Sequence, residues 1–146
     1  MAAKKRIYSI SNVVQMTREN LANYEDIVNG VIEEHKTSPV DIFGIGDAEG
    51  ELLYLNQHKG SYVRTIREID TLWKGSDRSR TILEIGSFLG PVSISLKKLG
   101  YRVYAVDIPE FYESSSLQSL YQRNGIPFTG LNLRRHRSPM TLIFLM

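Results

Sequence analysis

The run Thr81-Ile82-Leu83-Glu84-Ile85-Gly86-Ser87-Phe88-Leu89-Gly90-Pro91, followed by Arg102-Val103-Tyr104-Ala105-Val106-Asp107, decides the fold of this chain. Residues 81–85 are short, apolar and rich in β-branched side chains, which is the composition of a buried parallel strand. Gly86 to Gly90 follows as a tight turn. Pro91 suits the first position of a helix, where an N–H would have no partner, and Gly100 suits the position just past its end. Between them Val92, Leu96 and Leu99 form an apolar stripe, with Lys97 and Lys98 near the negative end of the helix dipole. Residues 102–106 read as a second strand with an acid, Asp107, at its tip.

A strand–turn–helix–strand unit has a known physical use. Ligands of parallel α/β sheets bind at the carboxyl ends of the strands, where loops and helix N-termini converge. There Gly86 lets backbone approach a ligand closely, and Gly90 lets the helix start beside it. Asp107, one strand over, is expected to have two oxygens free to accept the hydroxyls of a ribose. An adenosine-containing cofactor is therefore expected. The dinucleotide pattern G-x-G-x-x-G, started at Gly86, requires glycines at positions that here hold Phe88 and Pro91. A nicotinamide-dependent oxidoreductase is disfavoured on that ground.

The segments Leu83-Glu84-Ile85-Gly86-Ser87-Phe88-Leu89-Gly90 and Val106-Asp107-Ile108-Pro109-Glu110-Phe111 together resemble the class I S-adenosylmethionine-dependent methyltransferases. The resemblance covers residues 81–133. It implies an α/β fold, with N-terminal helices followed by an incomplete Rossmann-like parallel sheet of order β-α-β-α-β. It also implies transfer of the S-adenosylmethionine methyl group to a small-molecule acceptor that cannot be named. By this resemblance Gly86, Ser87 and Gly90 line the methionine part of the cofactor, and Phe88 stands where the family has its middle glycine. Glu84 supports the loop, Asp107 holds the ribose and Ile108 packs against the adenine. Each residue taken singly has a plainer reading: Glu84 as a paired strand acid, the glycines as turn formers, Asp107 as a helix cap. Their joint spacing favours the cofactor site. No catalytic base is identified.

The remaining sequence bounds the reading. The chain has 146 residues and a net charge of +2, so its charge gives no argument for nucleic acid or an acidic membrane surface. It contains no cysteine, which excludes disulfides, thiolate metal ligands and a thiol nucleophile. His35, His58 and His136 are too scattered for a metal site and read as surface or satisfied histidines. Neither a signal peptide nor a membrane span is readable, and a cytoplasmic protein is expected. The basic run Arg134-Arg135-His136-Arg137 reads as a solvated loop.

Two regions are expected: an N-terminal helical region over 1–79, and a partial cofactor-binding core with an irregular tail over 80–146. In the first, Val13, Met16, Leu21, Tyr24, Val28 and Val31 form a helical stripe, with the helix ending over Ile32 to Pro39. Val40 to Phe43 reads as a short strand, and Gly44 to Gly50 as a flexible turn. Ser61 is expected to cap a helix carrying Tyr62, Ile66, Ile69 and Trp73, closed by Gly75. Tyr54, Tyr62 and Arg64 are candidates for a lid over the cofactor. In the second region Glu113 to Asn124 reads as one crossover helix and Ile126 to Leu131 as a third strand. The resembled sheet has seven strands, so the chain is expected to be truncated after its third, with an apolar tail over 138–146 of foreign composition. An open sheet edge would then favour self-association. A non-catalytic adenosine-binding fragment is the alternative.

Overall fold

A computed structural model of the chain describes residues 10–42, 48–72 and 77–132, with side chains from Asn23 onward in the first segment. Helix α1 spans Ile10–Thr37 and α2 spans Ala48–Leu72. The α/β unit follows: β1 Thr81–Ile85, α3 Pro91–Leu99, β2 Arg102–Asp107, α4 Pro109–Tyr112, α5 Ser115–Arg123 and β3 Phe128–Gly130. The strands are parallel and lie in the order β1-β2-β3, with Glu84 level with Ala105 and Val106 level with Thr129. This is an α/β architecture consistent with a partial Rossmann-like fold.

One face of the sheet is well covered. Ile82, Val103, Ala105 and Asp107 alternate inward and are buried, while Arg102 and Tyr104 on the opposite face are exposed. Helix α3 packs between the sheet and the α1–α2 pair, so it is apolar on more than one side. Pro91, Ile94, Leu96 and Leu99 are all buried. Gly90 and Gly100 bracket α3 in the left-handed region, at φ 74° and 107°. A Cβ on Gly90 would lie 3.0 Å from the Tyr121 hydroxyl, so glycine is needed there for space as well as for φ.

Helix α1 ends at Thr37, within the expected stretch Ile32 to Pro39, with Ile32 and His35 continuing its buried stripe into the last turns. Several other local expectations are corrected. Val40 to Ile42 form no strand. Instead the Val40 and Asp41 amides donate to the Glu51 carboxylate, at 3.0 and 3.2 Å. Ser61 caps nothing, since α2 is continuous from Ala48 through Gly60 and Ser61. Packing of Leu55 and Ile66 against the core overrides the weak helix propensity of that pair. The expected crossover helix over Glu113 to Asn124 is α5, with Ser114 accepting the Leu117 amide as its N-cap, and it is preceded by the short α4, which was not expected. The third strand is shorter than expected, Phe128–Gly130. Trp73, Gly75, the Gly44 to Asp47 part of the loop, the basic run and the tail lie outside the described residues.

A buried acid welds the helices to the sheet. Asp70 of α2 accepts the Tyr24 hydroxyl from α1 and the Tyr101 hydroxyl ahead of β2, each at 2.6 Å. It also takes a two-pronged contact from Arg78, at 3.0 Å on each oxygen. Burial alone would raise the pKa of this carboxyl, but the three donors outweigh it and hold the value down at about 2. A paired buried carboxylate left without its ligands, or ligands left without it, costs about 3–5 kcal/mol. Asp70→Ala is expected to lower unfolding free energy in urea by that order, and Tyr24→Phe by far less. Because the folded pKa lies below the unfolded one, the Asp70 contribution is complete above about pH 4 and fades as pH falls toward 2. Parallel acid-melting curves for wild type and Asp70→Ala would contradict this assignment.

Candidate functional site

The carboxyl ends of β1 and β2 carry the residues singled out by sequence. After Ile85 the Gly86 and Ser87 amides both turn to the Val106 carbonyl, at 2.8 and 3.4 Å, which pins the loop across the two strands. Gly86 adopts φ 77°, and no atom lies within 4 Å of the position a Cβ would occupy. Its conformation therefore demands glycine while the space beside it stays open. Ser87 is buried and its hydroxyl is without a hydrogen-bond partner; the Tyr121 hydroxyl that faces it donates to the Phe88 carbonyl at 2.9 Å.

Phe88 takes φ 44°, in the left-handed region that costs a non-glycine residue about 1–2 kcal/mol. The surroundings hold it there from both sides. Its amide donates to Asp107 Oδ2 at 2.7 Å, and its carbonyl accepts from Tyr121. Its ring meets Phe111 at 4.9 Å and the edge of Tyr54 at 5.7 Å. One residue further on, the Leu89 carbonyl accepts from His35 Nε2 at 2.9 Å.

Asp107 is buried, and both its oxygens already accept amides, Oδ2 from Phe88 and Oδ1 from Ile108 at 2.8 Å. The expectation of two free oxygens is thus not met. A carboxylate has about four lone-pair sites, so one on each oxygen remains for a second donor. Ile108, half-buried, follows directly at the mouth of the β2–α4 turn. Glu84 points to the helix-covered face, and it binds Ser93 of α3 rather than the loop amides. It accepts from both the hydroxyl and the amide of Ser93, satisfying a donor of the first turn of α3. Burial of this carboxyl raises its pKa to about 7 against those hydrogen bonds, and the Asp107 charge pushes the same way.

The structure therefore gathers Glu84, Gly86, Ser87, Phe88, Gly90, Asp107 and Ile108 around one end of the sheet. Of the lid candidates, Tyr54 touches Phe88, and the Glu84 charge acts on Tyr62. Arg64 is exposed and lies off the helix face that carries those two tyrosines. His35 is satisfied by Leu89 and, at 2.5 Å through Nδ1, by Glu51. Tyr121 and Ser93 were not singled out from sequence; a tyrosine on an inward helix face needs a partner for its hydroxyl, and that was the available signal. Among the described residues no group of three or more His, Asp or Glu side chains could hold a metal, and no helix is long and apolar enough to cross a membrane. Comparison with protein-family models, curated proteins and solved structures gives no match to this chain.

Glu84 yields a pH test. Its folded pKa lies above its unfolded value near 4.5, so the folded state binds the extra proton. Its contribution is complete below about pH 4.5 and is lost as pH rises through about 7. Glu84→Gln, which keeps a partner for Ser93, is expected to remove that loss and to gain on wild type at pH 8. Urea midpoints that stay a constant distance apart from pH 4 to 8 would refute it.

Proposed function

We propose that this chain binds S-adenosylmethionine at the carboxyl edge of β1 and β2, and that its fold serves methyl transfer to a small-molecule acceptor. The observation that carries this reading is the open, left-handed Gly86 beside the unpartnered, buried hydroxyl of Ser87. A glycine with free space where a side chain would project, next to a buried polar atom in need of a partner, is a cradle for a polar ligand. The remaining lone pairs of Asp107 suit ribose hydroxyls, and Ile108 offers an apolar edge to a purine. Glu84 acts one layer below by fixing the first turn of α3 beneath the loop.

When bound, S-adenosylmethionine supplies a methyl group activated by its sulfonium. The task of the chain is then to hold that methyl in line with a nucleophile, and orientation of this kind contributes several kcal/mol. Phe88 weighs against a dinucleotide. A pyrophosphate needs bare backbone at that place, and the ring is instead packed against Phe111 and Tyr54.

Calorimetry with S-adenosylhomocysteine is expected to show one site per chain, undisturbed by excess NAD. Gly86→Ala should weaken it at least tenfold, while lowering stability by only about 1 kcal/mol through its backbone strain. Asp107→Asn, which retains one amide acceptor, should also weaken binding. Absence of binding by wild type, or displacement by NAD, would end the proposal.

A further inference from the structure

A cleft opens at the opposite end of the sheet, away from the proposed cofactor site. Its volume is about 240 Å³, and Arg78, Ser79, Lys97, Gly100, Tyr101 and Arg102 line it. Arg102 begins β2 level with Thr81, and its amide donates to the Arg80 carbonyl at 3.2 Å. The cleft therefore sits at the amino ends of both strands. Lys97 comes from the last turn of α3, and Gly100 is the residue just past that helix. The alkyl stem of Arg78 lies over Gly100, with two carbons 3.9 Å from where a Cβ would stand. Cations from three separate places in the chain thus meet around one hollow.

The charges around it do not cancel. Asp70 takes Arg78 through Nε and Nη2, while Asp77 takes Arg80 and the Ser79 hydroxyl. Among the described residues Lys97 and Arg102 form no ion pair. Like charges gathered around a hollow repel one another, and an anion between them turns that cost into attraction. Arg78 adds direction: Asp70 fixes its guanidinium, yet 39% of the side chain stays exposed and further N–H donors remain. The last carbonyls of α3, which oppose an anion, are already occupied. Leu96 accepts the Tyr101 amide at 3.1 Å, and Lys97 accepts the Gly100 amide at 3.0 Å.

We propose that this cleft binds a phosphate group carrying two negative charges, as the free ion or as the monoester end of a small molecule. Two uncompensated cations match two charges, and a guanidinium held in place matches phosphate oxygens in shape. The hollow is smaller than the roughly 300–1,000 Å³ that hold a drug-sized ligand, so it takes a small group and leaves any attached carbon outside. A nucleic-acid backbone fits less well. Each of its phosphates carries one charge, and it binds along a series of cations rather than in a single hollow. The site shares no residue with the Gly86 to Asp107 end of the sheet, so it stands whether or not that end holds a cofactor.

Inorganic phosphate is the probe, titrated into the full chain at pH 8, where the second proton (pKa about 6) of a monoester is off. Sodium chloride holds ionic strength constant, which removes general screening from the signal. The amide resonances of Gly100 and Arg102 are expected to move, and those of Gly86 and Phe88 to stay. Lys97→Ala and Arg102→Ala, neither of them at a buried side chain, should each weaken binding about threefold or more and keep the wild-type urea midpoint in chloride. Lys98→Ala removes the same charge one residue outside the cleft and should leave affinity unchanged. Dimethyl phosphate, with one charge, should bind far more weakly than phosphate. Glycerol 3-phosphate separates the two sources: affinity equal to that of phosphate supports a monoester, and binding of phosphate alone supports the free ion. Resonances that stay in place, an equal loss in Lys98→Ala, or dimethyl phosphate binding as well as phosphate would overturn the proposal.

Discussion

The hydrogen bond from the Phe88 amide to Asp107 is the constraint around which the rest of this site is arranged. It joins the turn after β1 to the tip of β2 and holds a bulky residue at φ 44°. A backbone state of that kind persists only where its neighbours over-determine it. Here Tyr121 of α5 takes the carbonyl of Phe88, and His35 of α1 takes that of Leu89. Three elements distant in sequence thus converge on three consecutive peptide groups. The acid that keeps the turn in place is also the one we propose for the ribose, and on that reading ligand affinity and loop geometry would depend on the same two oxygens.

The N-terminal helices are structural partners of the α/β unit as well as candidates for covering its site. Asp70 joins α1, α2 and the approach to both leading strands through one buried carboxylate. Glu51 gathers the chain between the helices by accepting the Val40 and Asp41 amides, and through His35 it reaches the loop itself. At the outer end of α5, Arg123 and Asn124 meet Glu34 of α1. Helix α3 is enclosed as a result, which explains why its buried residues include Ser93 and Ser95 beyond the stripe a surface helix would show.

The α/β unit was legible because its signals are local and agree with one another. A β-branched run, a glycine turn, Pro91 at a helix start and Gly100 at its end all name the same elements. The N-terminal half was less so. Gly60 and Ser61 carry turn chemistry, but Leu55 and Ile66 on either side are buried by tertiary contact, and the helix continues through them. The apolar run at Val40 resembles a strand, while the Glu51 carboxylate that takes its amides is a partner no periodicity announces. At the site, spacing identified Gly86 and Asp107 as neighbours. It could not reveal that both Asp107 oxygens are shared with amides, that Glu84 serves Ser93, or that α2 brings Tyr54 against Phe88. Those are products of packing between elements, and sequence carries them only as scattered polar and aromatic residues on buried or half-buried faces.

The Asp70 cluster has a consequence for the order in which the protein can be made. Tyr24 and Asp70 emerge from the ribosome well before Tyr101, and Arg78 arrives between them. Until Tyr101 has been synthesised, the two helices hold an acid meant for the interior without its full set of donors. Such a half must wait, exposed, for the next 30 or so residues, about the time of a few seconds of translation. The closing of one buried carboxylate by donors from three places in the chain thus makes synthesis as far as Tyr101 a condition for the stability of the helices that precede it.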